Sequence, residues 1–370
     1  MNRQRPEHII ISGGGTGGHV FPAISVANAL KTIEPSVEIL FVGATGRMEM
    51  DLVPAAGYRI EGLPVTGLWR RKVWKNFAVI VKFLRSVSMA RKIILDFKPD
   101  VVVGVGGYAS GPVLWAAGRM KIPVLIQEQN SYAGITNRLL SGRADVICVA
   151  YRGMEKYFPA GKILLTGNPV RSTYSDLGSL RAEGRRYFGI GSAATAVLVL
   201  GGSLGAGSVN NVVLVSAESI RNSGLEWIWQ SGRLSFDKVN RKVLQCEIEN
   251  IRVRSFIDRM DLAYAAADII VSRSGAGTIS ELCLVGKPVV LIPSPNVAED
   301  HQTKNAMALV EEEAAVILKD DAVAGELVRV VSDLARDTGR RERLSANIRR
   351  LALTGSAETI AREVLRLARR

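Results

Sequence analysis

The chain has 370 residues, 47% of them hydrophobic and 6% aromatic, with three cysteines, Cys148, Cys246 and Cys283. That length suits two domains with full cores, and three cysteines make no disulfide framework, so a reducing cytosol is the expected setting. The net charge of +13 is uneven, +11 on residues 1–171, −2 on 172–348 and +4 on 349–370; the first half is therefore expected to face a polyanion or an anionic membrane, and nucleic acid is disfavoured because no recognised motif accompanies the charge.

In chain order, residues 9–12 and 38–43 read as short buried strands, with a helix over 23–31 between them. No signal-peptide core precedes the first strand. Strands follow at 101–105, 124–127 and 146–150. The stretch 101–118 is free of charge, but its five glycines and Pro112 exclude a membrane span. Gly167, Asn168 and Pro169 punctuate the chain and set a boundary between domains 1–170 and 171–355. Beyond it, strands recur at 197–200, 226–230, 269–272 and 289–292, with helices that include 280–285 and 302–312. This alternation means α/β class: two similar doubly wound domains with parallel sheets and crossover helices. The tail, 356–370, has helical spacing and basic charge, which suits packing back on the first domain.

Three glycine-dense turns each follow an apolar run: IIISGGGTGGH at 9–19, VVVGVGGYASGP at 101–112 and VLVLGGSLGAG at 197–207. Glycine lets the backbone approach a ligand closely, and a helix N-terminus behind the turn offers unpaired N–H groups. Such turns take anionic ligands, phosphates above all. Gly13, Gly15 and Gly18 satisfy the dinucleotide pattern GxGxxG. The second strand, however, ends LFVGA without the carboxylate that a dinucleotide ribose requires. A nicotinamide oxidoreductase is disfavoured on that ground.

His19, just behind the first turn at the start of a helix, is a candidate general base, since a helix N-terminus disfavours the imidazolium. Its bland alternative is a capping or packing histidine. Glu128, in QEQN after a strand, is a second candidate base, with an ion pair to Arg138 or another local cation as the alternative. The segment Arg273 to Glu281 (RSGAGTISE) follows a strand and opens a helix with small residues whose N–H groups can meet a phosphate. Glu281, one turn inside, can accept two hydrogen bonds from a ribose diol; a capping box of Thr278 with Glu281 is the ordinary explanation. Residues 296–305 (NVAEDHQTKN) offer Glu299, Asp300, His301 and Gln302 to hydroxyls, without metal-ligand spacing. No metal and no cofactor are expected. Residues 68–85 (LWRRKVWKNFAVIVKFLR) mix Trp69, Trp74, Phe77 and Phe83 with Arg70, Arg71, Lys72, Lys75, Lys82 and Arg85. That mixture suits a membrane interface, or else a core helix with a basic solvent face.

Together SGGGTGGHVFPA, RMEMDLVP, GVGGYASGP, QEQNSYAGITNR, GNPVR, GGSLGA, RSGAGTISEL and DHQTKNA resemble the MurG family over essentially the whole chain. The family transfers N-acetylglucosamine from UDP-N-acetylglucosamine (UDP-GlcNAc) to undecaprenyl-diphospho-muramoyl-pentapeptide (lipid I), making lipid II of peptidoglycan. The resemblance implies the GT-B fold, two Rossmann-like domains with a ligand cleft between them. It implies a donor site made mainly by the second domain and an acceptor site in the first. Thr16, Gly17, Gly18 and Asn130 are implied to reach the donor from the first domain. Arg171 and Ser203 would meet its diphosphate, Ile257 its uracil through the backbone, and Ala276, Gly277, Thr278, Ile279, Ser280 and Glu281 its phosphate and ribose. Gln302 would hold sugar hydroxyls. Gly14, Gly15, Gly106, Gly107 and Tyr108 are implied to border the acceptor diphosphate, with His19 as the family's proposed base. Gln127 stands where other members have His, so it is given no chemical role. The implied setting is the cytoplasmic face of the cell membrane, held peripherally, with cell-wall synthesis proteins as partners. Competing expectations are a related GT-B enzyme, such as a UDP-GlcNAc 2-epimerase or a glycolipid glycosyltransferase, and a non-catalytic nucleotide-sugar-binding protein.

Overall fold

The apolar run after His8 becomes β1 (His8–Ser12), an inner strand of a seven-stranded sheet. This computed structural model describes residues 5–65, 76–170, 174, 176–201, 206–295, 297, 300–319 and 323–370, with side chains from Lys82 in the second stretch and from Gly325 in the last. The chain divides into two units: Met1–Val170 with Leu353–Arg370, and Arg171–Ala352.

In the first unit β1 is joined by β2 (Glu38–Ala44), β3 (Arg59–Leu63), β4 (Val101–Gly104), β5 (Val124–Glu128), β6 (Val146–Val149) and β7 (Ile163–Leu165). The order is β3-β2-β1-β4-β5-β6-β7, and every pairing is parallel. Helices cover both faces, so the inner strands are apolar on both sides. Ile10, Val102, Ile126 and Ile147 point toward α3 (Asn76–Phe97) and α4 (Ser110–Arg119). Ile9, Ile11, Val101, Val103 and Leu125 point the other way, toward α1 (Gly17–Ile33). Two short helices, α2 (Glu49–Ala55) and α5 (Ile135–Leu140), complete the unit's first part.

The second unit repeats the plan with six parallel strands. They are β8 (Ala196–Leu200), β9 (Glu226–Gln230), β10 (Ile251–Arg254), β11 (Ile269–Ser272), β12 (Val289–Leu291) and β13 (Val316–Ile317), in the order β10-β9-β8-β11-β12-β13. One face packs Trp227, Trp229, Val197 and Val271 against α7 (Gly207–Val215), α9 (Phe236–Gln245), α13 (Val323–Arg336) and α14 (Thr338–Arg350). On the other, α6 (Arg181–Phe188) crosses α10 (Met260–Ala266) so closely that a Cβ on Gly184 would stand 2.4 Å from the Leu262 carbonyl oxygen. The remaining helices are α8 (Ala217–Arg221), α11 (Ala276–Val285) and α12 (His301–Val310).

Each sheet has one switch point, between β1 and β4 and between β8 and β11, where successive crossovers run in opposite directions. Ligands of doubly wound sheets bind outside the strand ends there. The first two glycine turns follow β1 and β4; the third follows β8, and the segment Arg273 to Glu281 follows β11.

Several boundaries differ from the sequence reading. Helix α1 begins at Gly17, six residues before the expected start, and carries Pro22 inside it. Proline gives up one intrahelical bond, but its fixed φ is helical. Helix α11 begins at Ala276, not Ser280. The edge strands β3, β7, β10 and β13 were not anticipated; short runs with half-exposed faces carry little apolar signal.

After unit two the chain forms α15 (Ser356–Ala368), which lies along α1 in the first unit. Ile360, Val364 and Leu365 join the Ile9–Ile11 side of the core. Arg369 then bonds Glu7 and Glu34. Leu365 is 4% exposed, so Leu365→Ala should cost about 2–4 kcal/mol of unfolding free energy in a urea titration. The exposed Arg362→Ala serves as control and should change it by less than about 0.5 kcal/mol.

Candidate functional site

In the first unit the two glycine turns interlock. Gly14 N–H donates to the Gly106 carbonyl at 3.3 Å, and a Cβ on Gly107 would stand 2.2 Å from the Gly14 carbonyl oxygen. Only glycine fits such an approach, and Gly106 and Gly107 both have positive φ, +91° and +83°. Thr16 is the N-cap of α1, yet its hydroxyl makes no cap; it lies 3.0 Å from His19 Nδ1. The other edge of the imidazole rests on Gly106, where a Cβ would meet Nε2 at 3.0 Å. His19 is thus held between a hydroxyl and the second turn, and the capping alternative for it does not apply. Thr16 and Gly18 are exposed, Gly17 is half-buried, and Tyr108 is 53% exposed beside Gly107.

Glu128, at the end of β5, is 1% exposed. Its Oε1 accepts from the Asn130 backbone N–H at 3.0 Å and from Asn130 Nδ2 at 3.2 Å. Its Oε2 accepts from the Gly134 N–H at 3.0 Å and from Asn137 Nδ2 at 2.9 Å. Burial pushes its carboxyl above the usual range, and these N–H donors pull it part of the way back. Among the described residues it makes no ion pair; Arg138 instead lies over the rings of Tyr132 and Tyr157, at 6.0 and 5.6 Å. Asn137 Nδ2 also lies 3.7 Å from the Cβ position on Gly106, so it borders the second turn. Gln127 donates from Nε2 to Asn168 Oδ1 at 3.1 Å, and Gln129 from Nε2 to the Val105 carbonyl at 2.7 Å. These buried amides hold the QEQN strand end against the second turn.

In the second unit, α11 starts directly behind β11. Gly275 is its N-cap, extended at φ −65° and ψ 145°, with no side-chain cap. Thr278 is the third residue inside the helix, so the capping-box alternative fails. The first-turn N–H groups of Ala276, Gly277 and Thr278 have no earlier carbonyl of the helix to bond, and Ile279 is the first to close back, on Gly275 at 2.9 Å. The first turn carries no acid. Ser280 hydroxyl donates to the Ala276 carbonyl at 3.1 Å. Glu281 accepts from the Tyr264 hydroxyl at 3.4 Å; Tyr264 is fully buried, and burial with the Glu281 charge pushes its hydroxyl well above 10. Gln302 is fixed by its oxygen, which accepts from the Ser294 N–H at 2.9 Å, so its amide N–H₂ is the end that can donate. Its carbonyl accepts from Ser274 at 2.8 Å. The Ile257 N–H donates to Gln230 Oε1 at 2.9 Å, which leaves the carbonyl to read a ligand.

The structure therefore makes two groupings, His19 with the two turns and Glu128, and α11 with Gln302. Arg171, Ser203, Asn296, Glu299 and the basic and tryptophan-bearing stretch 66–75 lie outside the described residues. The sequence reading assigned no role to Glu49, Asn137, Gln230 or Tyr264. Glu49 and Asn137 stand within RMEMDLVP and AGITNR, which was their one local signal.

Two parallel sheets, each with a glycine-rich or small-residue turn at its switch point, are the two Rossmann-like domains of the GT-B fold. The glycosyltransferase family 28 N-terminal domain matches residues 9–149 and the family 28 C-terminal domain matches residues 196–361. The chain belongs to glycosyltransferase family 28. It is 54% identical, over 97% of its length and 95% of the relative's, to a protein of Bacteroides fragilis named UDP-N-acetylglucosamine--N-acetylmuramyl-(pentapeptide) pyrophosphoryl-undecaprenol N-acetylglucosamine transferase. A protein of Phocaeicola vulgatus with the same name is 54% identical over 97% of this chain and 96% of its own. Among solved structures, Acinetobacter baumannii MurG superposes with a TM-score of 0.81 at 28% identity, covering 98% of this chain and all of that one. A Neisseria meningitidis UDP-GlcNAc 2-epimerase, at TM-score 0.64 and 14% identity over 97% of this chain and all of that one, shares the fold alone.

Glutamine at 128 would keep the shape but present an N–H₂ to two N–H donors. Glu128→Gln should therefore lower stability by about 1–3 kcal/mol in chemical denaturation. An unchanged midpoint would show that the four donors do not need a carboxylate.

Proposed function

We propose that this chain transfers N-acetylglucosamine from UDP-GlcNAc to the C4 hydroxyl of undecaprenyl-diphospho-N-acetylmuramoyl-pentapeptide, with inversion, in peptidoglycan synthesis. The carrying observation is 54% identity across 97% of the chain to transferases named for that acceptor and donor. In this reading the second unit holds the donor. The α11 N-terminus faces the diphosphate, with Arg171 and Ser203 beside it, and fixed N–H dipoles meet the charge that grows on departing UDP. Glu281 takes the ribose diol, the Ile257 carbonyl the uracil, and the Gln302 amide the sugar hydroxyls.

The first unit holds the acceptor. Its diphosphate borders Gly106, Gly107 and Tyr108, with Gly14 and Gly15 behind them. His19 takes the proton from the attacking hydroxyl: with Thr16 Oγ accepting from Nδ1–H, Nε2 carries the lone pair. The oxygen bonds the anomeric carbon as the bond to the phosphate oxygen breaks and UDP leaves with the electron pair. What supports His19 over Glu128 as base is that both Glu128 oxygens are taken by backbone and amide donors. Glu128 then acts by shaping the Asn130–Asn137 loop.

Incubation with UDP-GlcNAc and a lipid I analogue tests the activity; the donor alone separates it from an epimerase, which needs no lipid. Two variants separate the roles. His19→Ala should cut turnover about 10²–10⁴-fold with UDP affinity kept. Glu281→Ala should weaken UDP binding by about 2–4 kcal/mol in calorimetry. The opposite pattern would remove each residue from its role.

The acceptor's polyprenyl chain stays in the bilayer, so the first unit works at the membrane surface, held peripherally on the cytoplasmic face. No helix among the described residues is long and apolar enough to cross a membrane. Phe83, Leu84 and Leu139 are exposed at 39%, 62% and 78%, with Lys82 and Arg85 exposed beside them. Phe83 and Thr136 both approach Gly111, at 3.7 and 3.5 Å from its Cβ position, so α3, α4 and α5 share this face. Binding to anionic vesicles should weaken with salt and drop most when Arg70, Arg71, Lys72 and Lys75 are changed to Glu together. Equal binding to neutral vesicles would refute electrostatic docking.

A further inference from the structure

Glu49 opens α2 and is 1% exposed, yet neither oxygen meets a cation among the described residues. Oε2 accepts from the Gly15 N–H at 2.9 Å and Oε1 from the Ala44 N–H at 3.0 Å. The side chain fills space that two glycines leave open. A Cβ on Gly14 would stand 2.2 Å from Glu49 Oε1, and one on Gly43 would stand 2.6 Å from its Cγ. Two segments of chain have thus given up side chains to admit one carboxylate. Its partner turn has Gly14 at φ +149° and Gly15 at +86°, conformations that glycine adopts freely and other residues do not.

We propose that Glu49 is a positioning residue for glycosyl transfer: as the internal anion of the first glycine turn, it braces Gly14 and Gly15 against Gly106 and Gly107 and so sets the place of the His19 imidazole. The inference rests on the reading of His19 as the base. Two supports of that ring run through the turn. Thr16, whose hydroxyl meets Nδ1, directly follows Gly15, and Gly106, which backs Nε2, accepts from the Gly14 N–H. A shift of Gly14 and Gly15 moves both supports together. Because the Gly15 N–H is taken by the protein's own carboxylate, it is a structural donor and not one for the acceptor's diphosphate. Removing Glu49 therefore loosens the base while taking a negative charge away from the side where that diphosphate is read.

That combination gives a signature that a merely structural residue would not. Glu49→Ala should lower kcat about 10–100-fold, in keeping with a misplacement on the order of 1 Å. The acceptor KM should stay level or fall, and UDP affinity should remain within about twofold, since the contacts proposed for the uracil, ribose and diphosphate lie in the other unit. Glu49→Gln keeps the shape but has one acceptor oxygen for two donors, so it should fall between wild type and Ala. If the Ala variant does not fold, the Gln variant decides by the same split. Full turnover in Glu49→Gln, kcat within twofold of wild type in Glu49→Ala, or a rise in acceptor KM with parallel loss of UDP affinity would each overturn the proposal. Wild-type chain measured alongside separates the failures. If it transfers no sugar, the glycosyltransferase reading falls and this inference with it; if it transfers and the variants match it, this inference alone falls.

Discussion

Parallel pairing of β1 with β4, and of β8 with β11, places two strands side by side whose following helices lie on opposite faces of the sheet. No crossover passes over the strand ends at that point, and the two turns beyond them face each other. Everything proposed about chemistry depends on that opening. It brings residues 13–19 next to 105–108 although nearly ninety positions separate them, with the Gly14 N–H on the Gly106 carbonyl as the closing bond. The approach leaves no space for a side chain on Gly107, so the glycine content of both turns follows from packing as well as from ligand binding.

Around that opening the first unit uses buried carboxylates as organisers. Glu49 and Glu128 are each 1% exposed, and each is satisfied by N–H donors. A carboxylate taken from water is costly unless its lone pairs are met. Once they are met, it holds several loose backbone groups at one place. Asn137 joins one of these centres to the edge of the second turn. The second unit works differently: Glu281 stays half-buried on its helix, steadied by the Tyr264 hydroxyl.

Legibility followed burial and sequence distance. Strands β1, β4, β8 and β11 were plain as apolar runs because both their faces are covered. The edge strands were not, because one side of each meets solvent or loops. Pro22 hid the true start of α1, and the small residues 276–279 hid that of α11; in both cases tertiary packing carried the helix through residues of weak propensity. His19 and Glu281 could be picked out because a turn and the helix behind it are contiguous in sequence. Glu49 could not be, since Gly15, its partner, is 34 residues away. Gln230 and Tyr264 were hidden in the same way, behind partners 27 and 17 residues distant.

The amino-acid sequence by itself determined the α/β class, the repetition of the doubly wound plan and the family. Those properties are local: they reside in period, in glycine spacing and in the residue just behind each turn. The return of α15 to the first unit was expected from its spacing and charge; tertiary structure alone decided that Thr16 holds His19 and does not cap α1, and that Glu128 serves the segment 130–137 with both oxygens. Each of these outcomes is a competition for one hydrogen bond among several nearby donors and acceptors, and only the folded packing settles which of them is placed to win.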